Sequence, residues 1–389
     1  MKRVLVTLTT GLFMIIVFFC YTLPGWAALL EDDFEKIAEA VPDECFLDIG
    51  KRSPMTDPNC RECGEGATPK TNQTYIWSLT GDEDKIWFGT LANGACQVLS
   101  MAMGQPFQMG NTITCEFFSG PQFSDWRPAQ IWSYDKNTKE LKNHSITNPL
   151  DPLYHTMGWR TATCYKDKIF FAGPNRFAQQ ALHLLVMDKD GRHLEKKTFL
   201  RYKDARKFLV GTDGGLYLGV SKEPFGGAVL RWDEEKKFFW EVGRFFEAGK
   251  IWREVAWLEE YKEHLYAITW GGDHLLGHFQ IWKSPHISKL SPLTAFGWKK
   301  IWEYSQYTGR SWILGDHAFI GGGPMRAFGK YLYFGTMTSM VGPLYPNPPT
   351  PPANLFRLKD EDGEMHNMKI NQLQFCLICV AISLIWEID

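Results

Sequence analysis

An all-β repeat fold is what this 389-residue chain predicts, and three observations point to it. One short aromatic run recurs, as "KIWFGT" (85–90), "KIFFAG" (168–173), "GLYLG" (215–219), "HLYAIT" (264–269) and "KYLYFGT" (330–336). Apolar runs flank each copy, separated by turns of Asp, Gly, Asn and Lys, which is hairpin chemistry. No convincing amphipathic stretch of helical length separates these runs. Four antiparallel strands per unit make up a blade of a β-propeller. The sequence therefore predicts a propeller of at least five four-stranded blades.

The chain opens with a leader. Lys2 and Arg3 precede "VLVTLTTGLFMIIVFFCYTL", and the stretch ends in "PGWA", with the small residues Gly25 and Ala27 before the expected cut. Residues 1–27 read as a signal peptide. An uncleaved anchor is the alternative, because the stretch approaches spanning length. Cleavage predicts a secreted or periplasmic/extracellular protein with no stable membrane span. Export also turns the cysteines into disulfide candidates.

Residues 28–73 form an N-terminal cysteine-containing strap, with one short helix expected in "EDDFEKIAEAV". No His accompanies "CRECG" (60–64), so neither haem attachment nor a zinc site is expected, and structural disulfides fit better. Cys96 and Cys115 share an insertion at 91–129 and are expected to pair. The pairing of Cys45, Cys60 and Cys63 stays open. Cys164 falls in an inner strand and is expected to be unpaired.

The propeller occupies residues 74–364. Its innermost strands are expected at "YIWSL" (75–79), "RTATCY" (160–165), "KFLVG" (207–211), "EVAWL" (254–258) and "MRAF" (325–328). Third strands follow, for example "QIWSYD" (130–135) and "FQIWK" (279–283), and the first three copies also show a fourth. Phe170 to Tyr217 is 47 residues and Tyr217 to Tyr266 is 49, which match blade periods. Trp87 to Phe170 is 83, so that interval carries an insertion or hides another blade. The glycines ending the anchors suit inner strands that crowd near an axis. "PLYPNPPTPPAN" (343–354) is a stiff surface excursion. The atypical tail, 365–389, contains "LQFCLICVAISLIW" (373–386), which reads as a closing strand, a weak anchor or a truncated reading.

Anchors ending in Gly-Thr resemble the repeats of sensor-type propellers. The "YDKNTKEL" and "MDKDGRHL" hairpins are similar to turns in kelch-like and quinoprotein-like repeats. The resemblance covers roughly residues 74–364 as a pattern. The tryptophan-docking end of the quinoprotein repeat is not kept, so no catalytic residue carries over.

Formal charge is −2, which gives no electrostatic basis for nucleic-acid binding. Sixteen tryptophans suit packing between sheets, or a carbohydrate-facing groove. Arg160 and Arg206 each stand thirteen residues before an anchor glycine, Gly173 and Gly219, with Arg253 and Arg326 in similar places. Together these guanidinium groups would ring one channel mouth and attract an anion. Pairing with neighbours such as Glu254 or Asp204 is the commoner arrangement. Trp159 and Trp252 stand beside two of the arginines and would offer stacking surfaces, with His155 and His317 as further loop candidates. "GDHLLGH" holds His274 and His278 in a loop, so no metal site is expected. The glycine run at 321–323 resembles no nucleotide loop, and no cofactor is expected.

Two functions stay open. The first is an exported binding or interaction scaffold, recognising a small molecule, glycan or protein at the channel mouth. The alternative is a secreted propeller enzyme acting on carbohydrate or a related polymer. An enzyme of that kind needs two carboxylates converging on one centre.

Overall fold

Alternating burial along each anchor strand sets the architecture. The computed structural model describes residues 35–49, 51–52, 63–94, 96–97, 125–176, 181–222, 226–245, 254–270, 279–288, 293–304, 318–340, 354–358 and 365–367. Two compact units divide the chain, 1–40 and 41–389. The described part of the first, 35–40, has no regular structure. The helix expected in "EDDFEKIAEAV" is absent from residues 35–41, and 31–34 lie outside the described residues. Ile37 and Val41 are exposed, so no apolar face is buried there to support a short helix.

Among the described residues, the second unit holds every strand. Strands β1 (Glu44–Asp48), β2 (Lys51–Arg52) and β3 (Thr68–Lys70) form a small three-stranded sheet in the strap. A disulfide joins Cys45 to Cys63. The strap is tied to the first blade by Arg127, whose Nη2 and Nε donate to Glu44 at 2.6 and 2.9 Å.

Five four-stranded sheets follow, each an antiparallel meander in chain order. The first comprises β4 (Gln73–Gly81), β5 (Lys85–Ala92), β6 (Ile131–Asp135) and β7 (Leu141–Asn143). The second comprises β8 (Thr161–Tyr165), β9 (Lys168–Pro174), β10 (Leu182–Asp188) and β11 (His193–Phe199). The third comprises β12 (Tyr202–Val210), β13 (Leu216–Lys222), β14 (Gly227–Asp233) and β15 (Phe238–Phe245). The fourth comprises β16 (Val255–Tyr261), β17 (His264–Thr269), β18 (Gln280–His286) and β19 (Lys299–Glu303). The fifth comprises β20 (Ala318–Phe328), β21 (Tyr331–Met340), β22 (Leu355–Leu358) and β23 (Met365–Asn367). This is the all-β propeller that the repeats predicted, and β19 and β23 complete the two units whose fourth strand the sequence did not reveal. The long interval between Trp87 and Phe170 carries an insertion: beside the ends of β5 and β9, its described residues hold β6, β7, helical positions at 94, 96 and 97, a 3-10 helix, Pro152–His155, and β8, with no strand of a further sheet among them.

Adjacent sheets share apolar cores through one rule. Trp87, Phe170, Tyr217 and Tyr266 each pack towards the following sheet, while Phe171, Leu218, Ala267 and Phe334, one residue further on, pack towards the preceding sheet. The pleat alternates side chains between faces, so a pair of apolar residues on the second strand grips both neighbours. All eight are nearly inaccessible to water, and burying each of them other than the small Ala267 stabilises by roughly 1.5–3 kcal/mol.

Connections differ between the two ends of the sheets. First-to-second strand turns take two to five residues, whereas second-to-third connections reach 38 in the first sheet (93–130) and 14 in the fifth (341–354). The first strands also begin at this longer-looped end. Loops that carry binding groups belong on such a rim.

Candidate functional site

Backbone irregularities at the long-looped end aim side chains out of the regular pleat. The pairing of β4 with β5 slips between Ile76 and Ser78, leaving Trp77 as the extra residue. The pairing of β12 with β13 slips between Ala205 and Lys207, leaving Arg206 extra. A bulge re-aims the inserted side chain. Gly158 permits the result for Trp77, because a Cβ there would lie 2.4 Å from the indole ring.

Four charged groups meet where these strands begin. Arg160, just ahead of β8, places Nη1 against Asp204 Oδ2 on β12 and 3.5 Å from Glu254 Oε1, just ahead of β16. Arg206 donates from Nε to the same Glu254 oxygen at 2.6 Å. Asp204 Oδ1 accepts from the Ala205 amide at 2.7 Å. Two indoles enclose the group. The Arg160 guanidinium lies 5.0 Å from the Trp77 ring and 5.8 Å from that of Trp270, and Arg206 stacks on Trp270 at 3.2 Å. Trp270 is oriented by its Nε1–H, which donates 2.9 Å to the Gly322 carbonyl of β20. Residues from all five sheets thus converge.

Burial raises the pKa of Glu254 above the ordinary carboxylate value, and Arg160 opposes that rise. Burial also lowers the pKa of Arg160. Guanidinium stays charged across any working pH, so the consequence for chemistry falls on Glu254: its proton is held more readily than in water.

A second layer lies further along the inner strands. The Lys207 ammonium sits 4.5 Å from the Trp257 ring, and burial lowers its pKa. Glu259, raised by burial, accepts from the Ala327 amide at 3.1 Å.

The candidates from sequence divide accordingly. Arg160 and Arg206 come together, and the carboxylates named as their possible partners, Asp204 and Glu254, are those partners. Arg326 does not join them; its side chain is 72% exposed and reaches Glu259 at 3.8 Å. Trp159 faces the other way, fully buried in the core between the first two sheets. His155 ends the 3-10 helix beside Trp126 and Tyr154, with its pKa lowered by burial, in an aromatic group apart from the arginine cluster. Trp252, Arg253, His274, His278 and His317 lie outside the described residues. Cys96 is disulfide-bonded, and its expected partner Cys115 lies outside the described residues. Cys164 is a free thiol. Sequence reasoning missed Trp77 and Trp270. A bulge erases the alternation that would have flagged the first, and the second ends an anchor strand like an ordinary core residue.

Among the described residues no three of His, Cys, Asp and Glu are placed to hold a metal ion. A cavity of about 620 Å³ opens at the short-turn ends of the second and third sheets, beside Tyr165, Asp213, Arg231 and Glu234. Arg231 pairs there with Asp213 at 3.0 Å and Lys168 with Glu234 at 2.9 Å. No pair of carboxylates there contacts one cation, so the chemistry points to the arginine cluster.

No known family pattern matches the chain, and neither does any curated protein. Solved structures similar to it include an exo-β-1,3-galactanase from Phanerochaete chrysosporium, at 7% identity and a TM-score of 0.42, covering 85% of this chain and 66% of that one. This chain thus spans just under two thirds of that protein. A second is a putative exo-β-1,3-galactanase from Bifidobacterium bifidum, at 9% identity and a TM-score of 0.41, covering 86% and 98%. A third is a thermostable family-43 glycoside hydrolase, at 11% identity and a TM-score of 0.37, covering 76% and 92%. Likeness at this level assigns no family and no activity.

Proposed function

We propose that this protein is an exported β-propeller that acts on a carbohydrate at the arginine cluster. The observation that carries the reading is the convergence of Asp204 and Glu254 on one Arg160 nitrogen, between the faces of Trp77 and Trp270. A sugar presents apolar C–H faces to indoles and hydroxyls to carboxylates and guanidinium groups. Glu254, with its pKa raised by burial, suits the proton donor to a departing glycosidic oxygen. Asp204 supplies the second carboxylate, to activate water or to face the positive charge that develops on the sugar. The Cys45–Cys63 disulfide supports an oxidising compartment.

One observation favours a second reading. Arg160 and Arg206 match the two carboxylates charge for charge, as a recognition centre without chemistry would. Hydrolysis of a panel of aryl glycosides and oligosaccharides separates the two. We expect turnover by the wild type and a loss of about 10²–10⁴-fold in Glu254→Gln, with the thermal transition retained. Glycan binding without turnover would establish the scaffold reading instead. Turnover that survives both Glu254→Gln and Asp204→Asn would overturn the assignment of the centre.

A further inference from the structure

Five sheets in a ring need five interfaces, yet the described residues form four apolar cores: first with second, second with third, third with fourth, fourth with fifth. The packing rule identifies the two faces left over. On the fifth sheet Tyr333 occupies the position at which Trp87, Phe170, Tyr217 and Tyr266 turn towards a following sheet. Cross-strand pairing puts Arg326 and Phe328 on that same face. On the first sheet Phe88 occupies the position that turns towards a preceding sheet, and pairing puts Ile76 and Leu79 beside it.

Along the inner strands these faces are open. Ile76 is 54% exposed, Leu79 67% and Phe328 60%. The anchor glycines agree. A Cβ on Gly89 would lie 2.4 Å from Trp159, just ahead of β8, and one on Gly219 2.6 Å from Val255 in the fourth sheet; on Gly335 it would meet nothing among the described residues nearer than 4.0 Å. Among the described residues, the close approach that the glycine serves elsewhere has no counterpart there.

We propose that residues 373–386 of this chain fill the groove between β4 and β20 and complete the fifth interface. β23 ends at Asn367, on the sheet that forms one wall of the groove, and 22 residues follow it. Within them "LQFCLICVAISLIW" has no charged residue. Fourteen residues extended reach about 45 Å, more than the nine-residue β4 spans. The run is short for crossing a bilayer, and left in water it would be a large exposed apolar segment. The groove offers it matching apolar surface on a face of the sheet it leaves.

A photo-reactive benzoyl-phenylalanine in place of Leu79, in the full chain, tests this. Irradiation should give intrachain adducts that map by mass spectrometry to 373–386. The same group in place of Leu194, an exposed residue on β11, should give none there. A chain ending at Asn367 should bind more of an apolar-surface dye and unfold at lower temperature. Should that shorter chain fail to fold, the cross-link in the full chain still decides. Adducts to a second copy, adducts only outside 373–386, no adducts, or equal tail adducts from position 194 would each overturn the proposal. So would a folded shorter chain with unchanged dye binding and thermal transition.

Discussion

His183 is fully buried, and only one of its neutral forms satisfies its surroundings. The Thr156 hydroxyl donates to the Leu153 carbonyl at 2.6 Å, so it must accept from His183 Nδ1–H, 2.8 Å away. Nε2 is then left to accept from the Asn175 amide at 3.1 Å. Burial, with a smaller contribution from His155, lowers its pKa from 6.5 to about 4. The folded state disfavours the proton, so this stabilisation is complete above pH 6.5 and is lost as pH falls towards 4. At about 1.4 kcal/mol per unit it amounts to roughly 3 kcal/mol. Denaturant titrations between pH 7 and 4 should show that loss in the wild type and a flatter profile in His183→Gln. Equal pH slopes in the two proteins would refute this account of the residue. None of it was legible in the sequence, where "LHLLVMD" shows only a histidine in a strand.

Among the elements, three of the five anchors end in Thr because that hydroxyl splices the second strand to the third. Thr90, Thr269 and Thr336 accept from the amides of Gln130, Gln280 and Asn354 at 2.8, 3.0 and 2.7 Å. Where the anchor departs from Thr at Gly173, the reason is local: a Cβ there would fall 1.9 Å from the Gly158 carbonyl oxygen. Replacing Thr269 by Val keeps the shape and leaves the Gln280 amide without its acceptor, which costs about 1–3 kcal/mol. Chemical denaturation should record that loss with the native spectrum intact; an unchanged midpoint would show that the splice contributes nothing. The repeat was legible because each copy must grip two neighbouring sheets and turn sharply, and both demands are written locally. The inner-strand bulges were not legible. A bulge is defined by its pairing partner, so nothing near Trp77 or Arg206 in the sequence marks either as the residue turned out of the pleat.

At the scale of the whole molecule, the strap and the rim frame the centre. The Cys45–Cys63 bond closes a loop with a sequence separation of 18, and under the chain-entropy model such a closure contributes about 3 kcal/mol. Reductant, or the double substitution Cys45→Ser with Cys63→Ser, should lower the thermal transition by several degrees; no shift would mean that the strap's polar contacts, Arg127 with Glu44 among them, hold it without the bond. The sequence placed Arg160 and Arg206 at one mouth because both start inner strands at equal spacing from an anchor glycine. It favoured ion pairing with neighbours such as Glu254 or Asp204, which is the pairing found, but it could not say which arginine meets which carboxylate, since that depends on what the ring brings round from other sheets. Here Asp204 and Glu254 arrive from the third and fourth sheets to meet an arginine of the second. The most direct test of a carbohydrate centre is a crystal structure of the Glu254→Gln protein soaked with oligosaccharide. The account predicts a sugar ring against Trp77 or Trp270, with a hydroxyl or glycosidic oxygen within hydrogen-bond reach of Asp204 and residue 254. Sugar seated only in the cavity beside Tyr165 and Arg231, or no sugar at saturating concentration, would contradict it.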